Sequence, residues 1–419
     1  MADSHGQVSQ LDFSDEIRQI YAETLGSKLV AISRMFGGQV ERDSHGARLV
    51  TEDGQSFVNC AGYGVFLLGA THPHVVAAVV EQVQRHPLSG RLFIDSVSPR
   101  AAAALVRCAP AGLEKVYFAN SGAEAVESAL KLARINGYRR IVTTTNSYHG
   151  RTLGALSVSA RPFYQEPFRP LLSDVVEIPF NDAAALDRAL AGQPPSCFIV
   201  EPVQGEGGVI VPDPDYLTEV SRVCAARDCF FIVDEIATGL GRLGRMWGVS
   251  GQDVRPDVMV VGKALSGGVV PISAMVATSK AYAPFERDPL LHQSTYSGSP
   301  LATAAALAAI EAIELYDVVG NADRIGRRLL ASFRKSAENA QEGVVRDIRG
   351  SGLLIGIEFT NPGHAGEMML SLVEQGVIAN HSLHNSCVIR FTPPAVIEES
   401  EIRLIEEAVR RGFGSAVAY

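Results

Sequence analysis

Between Asp257 and Gly268 the chain reads DVMVVGKALSGG, an almost wholly apolar run that carries a lysine into a glycine-rich turn. Such a run is a short buried strand, and a strand buried on both faces requires a sheet covered by other layers. Only six of the 37 basic residues are lysines: Lys28, Lys115, Lys131, Lys263, Lys280 and Lys335. Five lie in polar or helix-like surroundings. Lys263 alone ends a hydrophobic strand, where its ammonium loses hydration, its pKa falls and its neutral amine becomes a nucleophile toward a carbonyl. A lysine that snorkels from the strand end to water is the plainer alternative.

A chain of 419 residues can bury a large core and is expected to form two domains, or one large domain with an appendage. A net charge of -9 without any basic block argues against nucleic acid or an anionic membrane surface and leaves small molecules as partners. Met1 to Glu16 is polar and acidic, unlike a secretory signal, and no run approaches membrane-spanning length. The six cysteines are dispersed without metal or redox spacing and read as reduced thiols, which with the rest implies a cytoplasmic protein.

From Lys115 onward strand, turn and helix repeat, the pattern of an α/β domain with a mainly parallel sheet. Upstream, Arg48 to Asn59 alternates around Asp53-Gly54 as a hairpin, and Tyr63 sits in a glycine-flanked loop where it reads first as a half-buried aromatic. Val116 to Ala119 runs into Asn120-Ser121-Gly122-Ala123-Glu124, in which Ser121 and Glu124 have capping-box spacing; the free amides of that helix start would suit a phosphate. The next strand ends in Asn146-Ser147-Tyr148-His149-Gly150-Arg151-Thr152. There Tyr148 could stack on a planar ligand and Arg151 could clamp a carboxylate, while His149 taken alone reads as a solvated loop histidine.

Cys197 to Val200 leads to Glu201 and Glu206 in a turn of three glycines, where Glu206 could face an arginine or be a solvated acid. Cys229 to Val233 delivers Asp234, a carboxylate that needs a cationic or donor partner if buried. Asp234 and Lys263 thus end successive strands, and the carboxyl ends of strands line the ligand crevice of an open α/β sheet. A ligand with a carbonyl, a basic ring nitrogen and a phosphate would satisfy Lys263, Asp234 and the Gly122 turn together, and pyridoxal phosphate is such a ligand. A structural Asp234–Lys263 ion pair is the alternative. His292 to Pro300 is a hydroxyl-rich turn before an alanine-rich helix, Leu301 to Leu315, and a long helix is predicted near Asn321 to Asn339. Arg390, inside the apolar strand Cys387 to Phe391, needs an acid or a substrate carboxylate.

Taken together, the motifs Asn120 to Glu124, Tyr148 to Thr152, Glu201 to Gly208, Asp234 to Gly239, Gly262 to Leu265 and Ile389-Arg390-Phe391 with two prolines make the chain resemble the class III (omega-type) aminotransferases of the fold-type I pyridoxal-phosphate enzymes, from about Arg48 to Arg410. The resemblance implies a large α/β domain over 56–315 and a small α+β domain from 316–419, with 1–55 as an N-terminal segment of the small domain. It implies Lys263 as the Schiff-base lysine and proton shuttle and Asp234 as the partner of the ring nitrogen. Tyr148 and Ile236 would flank the ring, with His149 also at the cofactor; Ser121, Gly122 and Ala123 would hold its phosphate, and Thr295 would reach the phosphate of a neighbouring subunit in a homodimer. Arg390 would bind the α-carboxylate of glutamate with Glu206 as its gate, Arg151 a second carboxylate, and Tyr63 would help bind substrate. Ala237 stands where many members have a glutamine, Ser297 and Ser299 replace a glycine and an asparagine, and no histidine follows Gly69, which weakens any assignment to a standard ornithine, acetylornithine or 4-aminobutyrate enzyme. The expected activity is amino transfer between a primary amine or ω-amino acid and a keto acid, 2-oxoglutarate with glutamate foremost. A racemase, decarboxylase or lyase would use the same lysine and aspartate, and a non-catalytic relative would need neither.

Overall fold

The computed structural model describes residues 10–338 and 340–415; Met1 to Ser9 of the polar leader and Asn339 of the predicted long helix lie outside them. A seven-stranded sheet runs in the order Lys115–Ala119, Ser273–Ala277, Val258–Val261, Phe230–Asp234, Ser196–Val200, Arg140–Thr144, Val175–Ile178. All strands are parallel except Ser273–Ala277, which pairs antiparallel with both neighbours.

Four central strands are buried along their whole length, which is why their sequences are continuous apolar runs rather than alternating ones. Alternate residues still serve different faces. Cys197, Ile199, Ile232 and Val260 pack with Ala125, Ala129 and Ala133 of helix Gly122–Ile135, whereas Phe198, Val200, Val233 and Val261 join the core on the other side. There the alanines of helix Pro300–Leu315 let it lie close against helix Pro73–Arg85.

A second sheet joins distant parts of the chain: Ser56–Asn59 pairs antiparallel with Arg48–Thr51 and parallel with Val377–Ile378. A third, antiparallel sheet contains Asn385–Phe391, in which Arg390 stands opposite Gly356 and Asn380. Helices Gln10–Tyr21 and Ser27–Met35 precede these strands. Among the described residues no helix is long and apolar enough to cross a membrane.

Candidate functional site

The carboxyl ends of the parallel strands converge on Lys263. It follows Gly262, directly after strand Val258–Val261, and holds φ 45°, a left-handed conformation that costs a non-glycine residue about 1–3 kcal/mol. Burial, the largest influence, holds its ammonium below the ordinary lysine pKa, and the charge of Arg390 pushes the same way; Glu206, Asp234 and Glu201 oppose. Five charged side chains, carried by three neighbouring strand ends of the large sheet and by the Arg390 strand of the third sheet, therefore act on one another there.

Asp234 does not pair with Lys263. Its Oδ2 lies 2.6 Å from His149 Nδ1, and its Oδ1 accepts the Ile236 N–H at 3.0 Å. Both members are buried, so the reading of His149 as a solvated loop residue is corrected: its own N–H is held by Ser159 Oγ at 2.8 Å, and the turn folds inward. A carboxylate partner requires the hydrogen on Nδ1, which leaves the buried Nε2 without a partner.

Glu201 lies beside this pair and accepts the Tyr148 N–H at 2.9 Å. Burial, reinforced by Asp234 and only partly offset by His149, pushes its carboxyl from 4.5 up to about 7. A carboxyl that binds its proton more tightly in the folded state adds stability below its unfolded pKa, and that stability is lost as pH rises through the folded one. Between about pH 4.5 and 7 this term amounts to roughly 3 kcal/mol. Glu201→Gln keeps an acceptor for Tyr148 and should remove the term, so the variant gains stability relative to the parent as pH rises from 4.5 to 8. Denaturant unfolding at several pH values measures this, and parallel curves would refute it.

Helix Gly122–Ile135 starts at Ser121, whose hydroxyl accepts the Glu124 N–H at 3.2 Å. The Glu124 carboxylate does not close the box on Ser121; it takes the Asn120 N–H at 2.7 Å and Asn120 Nδ2 at 2.9 Å. The first-turn amides of Gly122 and Ala123 have no carbonyl one turn back in the helix. Gly122 is bare because a Cβ there would sit 3.0 Å from Ile236 Cδ1. Asn120 also donates to Ser294 Oγ at 3.0 Å, which ties this turn to the one bearing Thr295. The Thr295 side chain is exposed, and its carbonyl accepts from Arg91 at 3.2 Å.

Arg390 and Glu206 form a buried ion pair at 2.5 Å. Burial is the largest single influence on Glu206 and pushes its pKa upward, yet Arg390, Lys263 and the Leu383 N–H at 3.0 Å together hold it below the usual carboxylate value. Arg151 is exposed and stacks over the Tyr164 ring at 4.3 Å, with Tyr148 at 6.0 Å. Tyr63 is exposed too, with φ 53°.

Three further residues join the site without any local signal in the chain. Tyr164 donates to the Leu383 carbonyl at 3.1 Å, and His384 packs against both Tyr148 and Tyr164. Arg242 is buried with no acid: it donates to the carbonyls of Pro393 at 2.7 Å, Leu353 at 3.2 Å and Gly64 at 3.2 Å, which ties the exit of the Arg390 strand to the Tyr63 loop. Burial and the nearby Arg390 pull its pKa down to about 9. A run of polar residues around His384 and an arginine among glycines carry no periodic signal that could have singled them out.

A family model described as aminotransferase class-III matches residues 34–412. Among solved structures, the ornithine aminotransferase from Toxoplasma gondii ME49 is 31% identical, covering 98% of this chain and 96% of its own, at a TM-score of 0.88. The ornithine delta-aminotransferase of Plasmodium falciparum is 29% identical over 90% of this chain and 94% of its own, at 0.80. A transaminase from the marine bacterium Virgibacillus is 27% identical over 90% and 93%, at 0.84.

Proposed function

Because the chain belongs to the class III aminotransferases, pyridoxal-phosphate-dependent enzymes that move an amino group between an amine and a keto acid, we propose that Lys263 and Asp234 carry the chemistry and that glutamate and 2-oxoglutarate form one of its two substrate pairs. The observation that carries the glutamate half of this reading is the buried Glu206–Arg390 pair beside Lys263. An arginine neutralised by an acid in its own chain can be offered to a substrate carboxylate when that acid moves away.

The residues suit the cofactor. Lys263 has the desolvated amine that a covalent hold on an aldehyde requires. The bare Gly122 leaves first-turn amides open to the phosphate, with Ser121 and Ala123 beside it. Tyr148 and Ile236 would flank the ring, while Asp234, oriented by His149, would hold a proton on the ring nitrogen. When bound, pyridoxal phosphate supplies an electron-withdrawing ring that makes the substrate's carbon–hydrogen bond acidic. Lys263 Nζ, whose proton burial makes easier to release, would take that proton and return it to the neighbouring carbon. Arg151 would serve a second carboxylate and Tyr63 the substrate's flank.

A homodimer is part of the same reading. Leu92, Phe93 and Ile94 are 90%, 87% and 94% exposed, too large an apolar ridge for an isolated chain, and they follow Arg91, which knots the Ser294, Thr295 and Ser297 carbonyls. A second copy seated there would bring Thr295 toward its partner's phosphate site. The same reading divides the chain into a cofactor-binding body over 56–315 and a smaller unit from 1–55 and 316–419, with Val58 of the former pairing with Val377 of the latter across the boundary. Unpaired cysteines fit a cytoplasmic location.

The test is the absorbance of the bound cofactor on adding L-glutamate and then 2-oxoglutarate. The spectrum should change with the first and return with the second. In Arg390→Ala the glutamate needed for half the change should rise about a hundredfold, the cost of about 3 kcal/mol for a lost charge-assisted pair. A variant that responds as the parent does would refute the assignment of Arg390.

A further inference from the structure

Away from the charged cluster at Lys263, one histidine joins the Thr295 segment to the helix that starts at Gly122. His292 is half-buried, its ring 4.8 Å from that of Tyr117 and 5.7 Å from that of Phe285 between centroids. Its Nε2 lies 2.7 Å from Ser128 Oγ and its Nδ1 2.9 Å from Lys131 Nζ, both on helix Gly122–Ile135. These partners fix the hydrogens of the ring. Ser128 gives the single hydrogen of its hydroxyl to the Glu124 carbonyl at 2.7 Å, so its oxygen accepts from Nε2. An ammonium only donates, so Nδ1 must turn a lone pair toward Lys131. The ring therefore fits its seat only as the neutral Nε2–H form.

The same segment touches the helix start two residues on, where Ser294 accepts from Asn120 at 3.0 Å, and Ser297 Oγ donates to the Phe118 carbonyl. We propose that His292, as the neutral ring, is a positioning residue that fastens the Thr295 segment to the helix bearing the phosphate turn, and that acid unfastens it. A second proton would set a hydrogen on Nδ1 against the Lys131 ammonium, replacing a hydrogen bond by two like charges at 2.9 Å.

The surroundings agree in sign. Burial first and Lys131 second hold the ring below the ordinary histidine pKa of 6.5, while Glu124 and Glu127 oppose. Both acids are otherwise engaged, Glu124 by the Asn120 N–H at 2.7 Å and Glu127 by Thr152 Oγ1 at 2.6 Å and the Gly154 N–H at 2.9 Å. Strand Lys115–Ala119 brings Tyr117 to the ring and helix Ser279–Arg287 brings Phe285, next to which Glu286 is paired with Lys115 at 2.8 Å. Free of its seat the ring titrates near the ordinary value, and in the seat it binds a proton less well. Acid thus favours the unfastened segment once pH falls below about 6.5, by up to about tenfold per unit. The consequence for the cofactor rests on the reading of Thr295 as a phosphate residue of the neighbouring subunit. The helix starts at one phosphate turn and the segment carries the residue that serves the other, so unfastening should loosen the hold on both cofactors.

The test follows cofactor release by absorbance after dilution of the holoenzyme, in the parent and in His292→Gln, from pH 8 to 5.5. Glutamine offers the same two groups, an amide N–H toward Ser128 and an oxygen toward Lys131, and has no proton to gain. Other titrating groups cancel in the ratio of parent to variant rate. That ratio should lie within about twofold of one at pH 8 and rise at least about fivefold by pH 5.5. Lys131→Met, at an exposed position, should remove most of the rise from the parent profile, because no ammonium then opposes the second proton. Hydrogen exchange of the amides of 292–297 in the same holoenzyme samples, corrected for the intrinsic effect of pH, should diverge between parent and His292→Gln in the same range. A release ratio and an exchange ratio that are both flat with pH overturn the inference, including the case in which His292→Gln speeds release equally at every pH, the mark of a packing residue. Exchange that diverges while release does not leaves the fastening in place and sinks the reading of Thr295 at the phosphate.

Discussion

Lys263→Ala is expected to abolish amino transfer, lowering the single-turnover rate by at least about 10⁴-fold, because one side chain would both hold the cofactor and move the substrate proton. The loss should not come from unfolding. Lysine and alanine are equally strained at φ 45°, and removing a desolvated ammonium relieves a burial cost. The counter-effect falls on Glu206, which loses one of the two cations that hold its carboxyl down but keeps Arg390 at 2.5 Å. A circular dichroism spectrum and melting temperature close to the parent's, together with lost turnover, are therefore the expected pair of results. Lys263→Arg refines the test. It restores a cation among Glu206, Asp234 and Glu201, but a guanidinium does not shed its proton at neutral pH. An arginine variant as dead as the alanine variant marks Lys263 as the reacting amine, whereas recovery of a tenth or more of the parent rate would reduce it to a countercharge.

The residues that sequence alone picked out are those where a buried strand ends, because an apolar run leading to Asp234 or, through Gly262, to Lys263 states both a direction and a destination. What sequence could not supply is what fills the space between strand ends. His149 looked solvated because its neighbours in the chain are polar; its burial depends on Ser159, ten residues on, and on Asp234, which no local pattern links to it. Tyr164, Leu383 and His384 meet through contacts between segments more than two hundred residues apart, and the terminal guanidinium nitrogens of Arg242 donate to backbone carbonyls that carry no sequence identity. The same holds for the third sheet, where the neighbours of Arg390 are set by strand register rather than by composition. The antiparallel strand Ser273–Ala277 was equally hidden, since a strand buried on both faces reads alike in either direction.

Asp234→Asn should cost about 10²–10⁴-fold in rate, the equivalent of roughly 3–5 kcal/mol, although it changes one atom. The carboxylate has two acceptors in use, Oδ2 toward His149 Nδ1 at 2.6 Å and Oδ1 toward the Ile236 N–H at 3.0 Å. A carboxamide has one acceptor, so either orientation sets its NH₂ against a buried donor. His149 can escape by moving its hydrogen to Nε2, but that atom is buried without a partner, so the unsatisfied donor is only relocated. The charge that would keep a proton on the cofactor's ring nitrogen is lost as well. This separates His149 from Asp234 as positioning residue from catalytic one. His149→Asn should weaken the cofactor's affinity and slow the reaction through the loosened carboxylate, by about tenfold. In the double variant it should add nothing to Asp234→Asn, because the group it positions is already gone. Rates and cofactor dissociation constants of the parent, two single variants and the double variant decide the matter. Additive losses in both quantities would mean that His149 acts on its own account, with its unpartnered Nε2 as the atom to pursue.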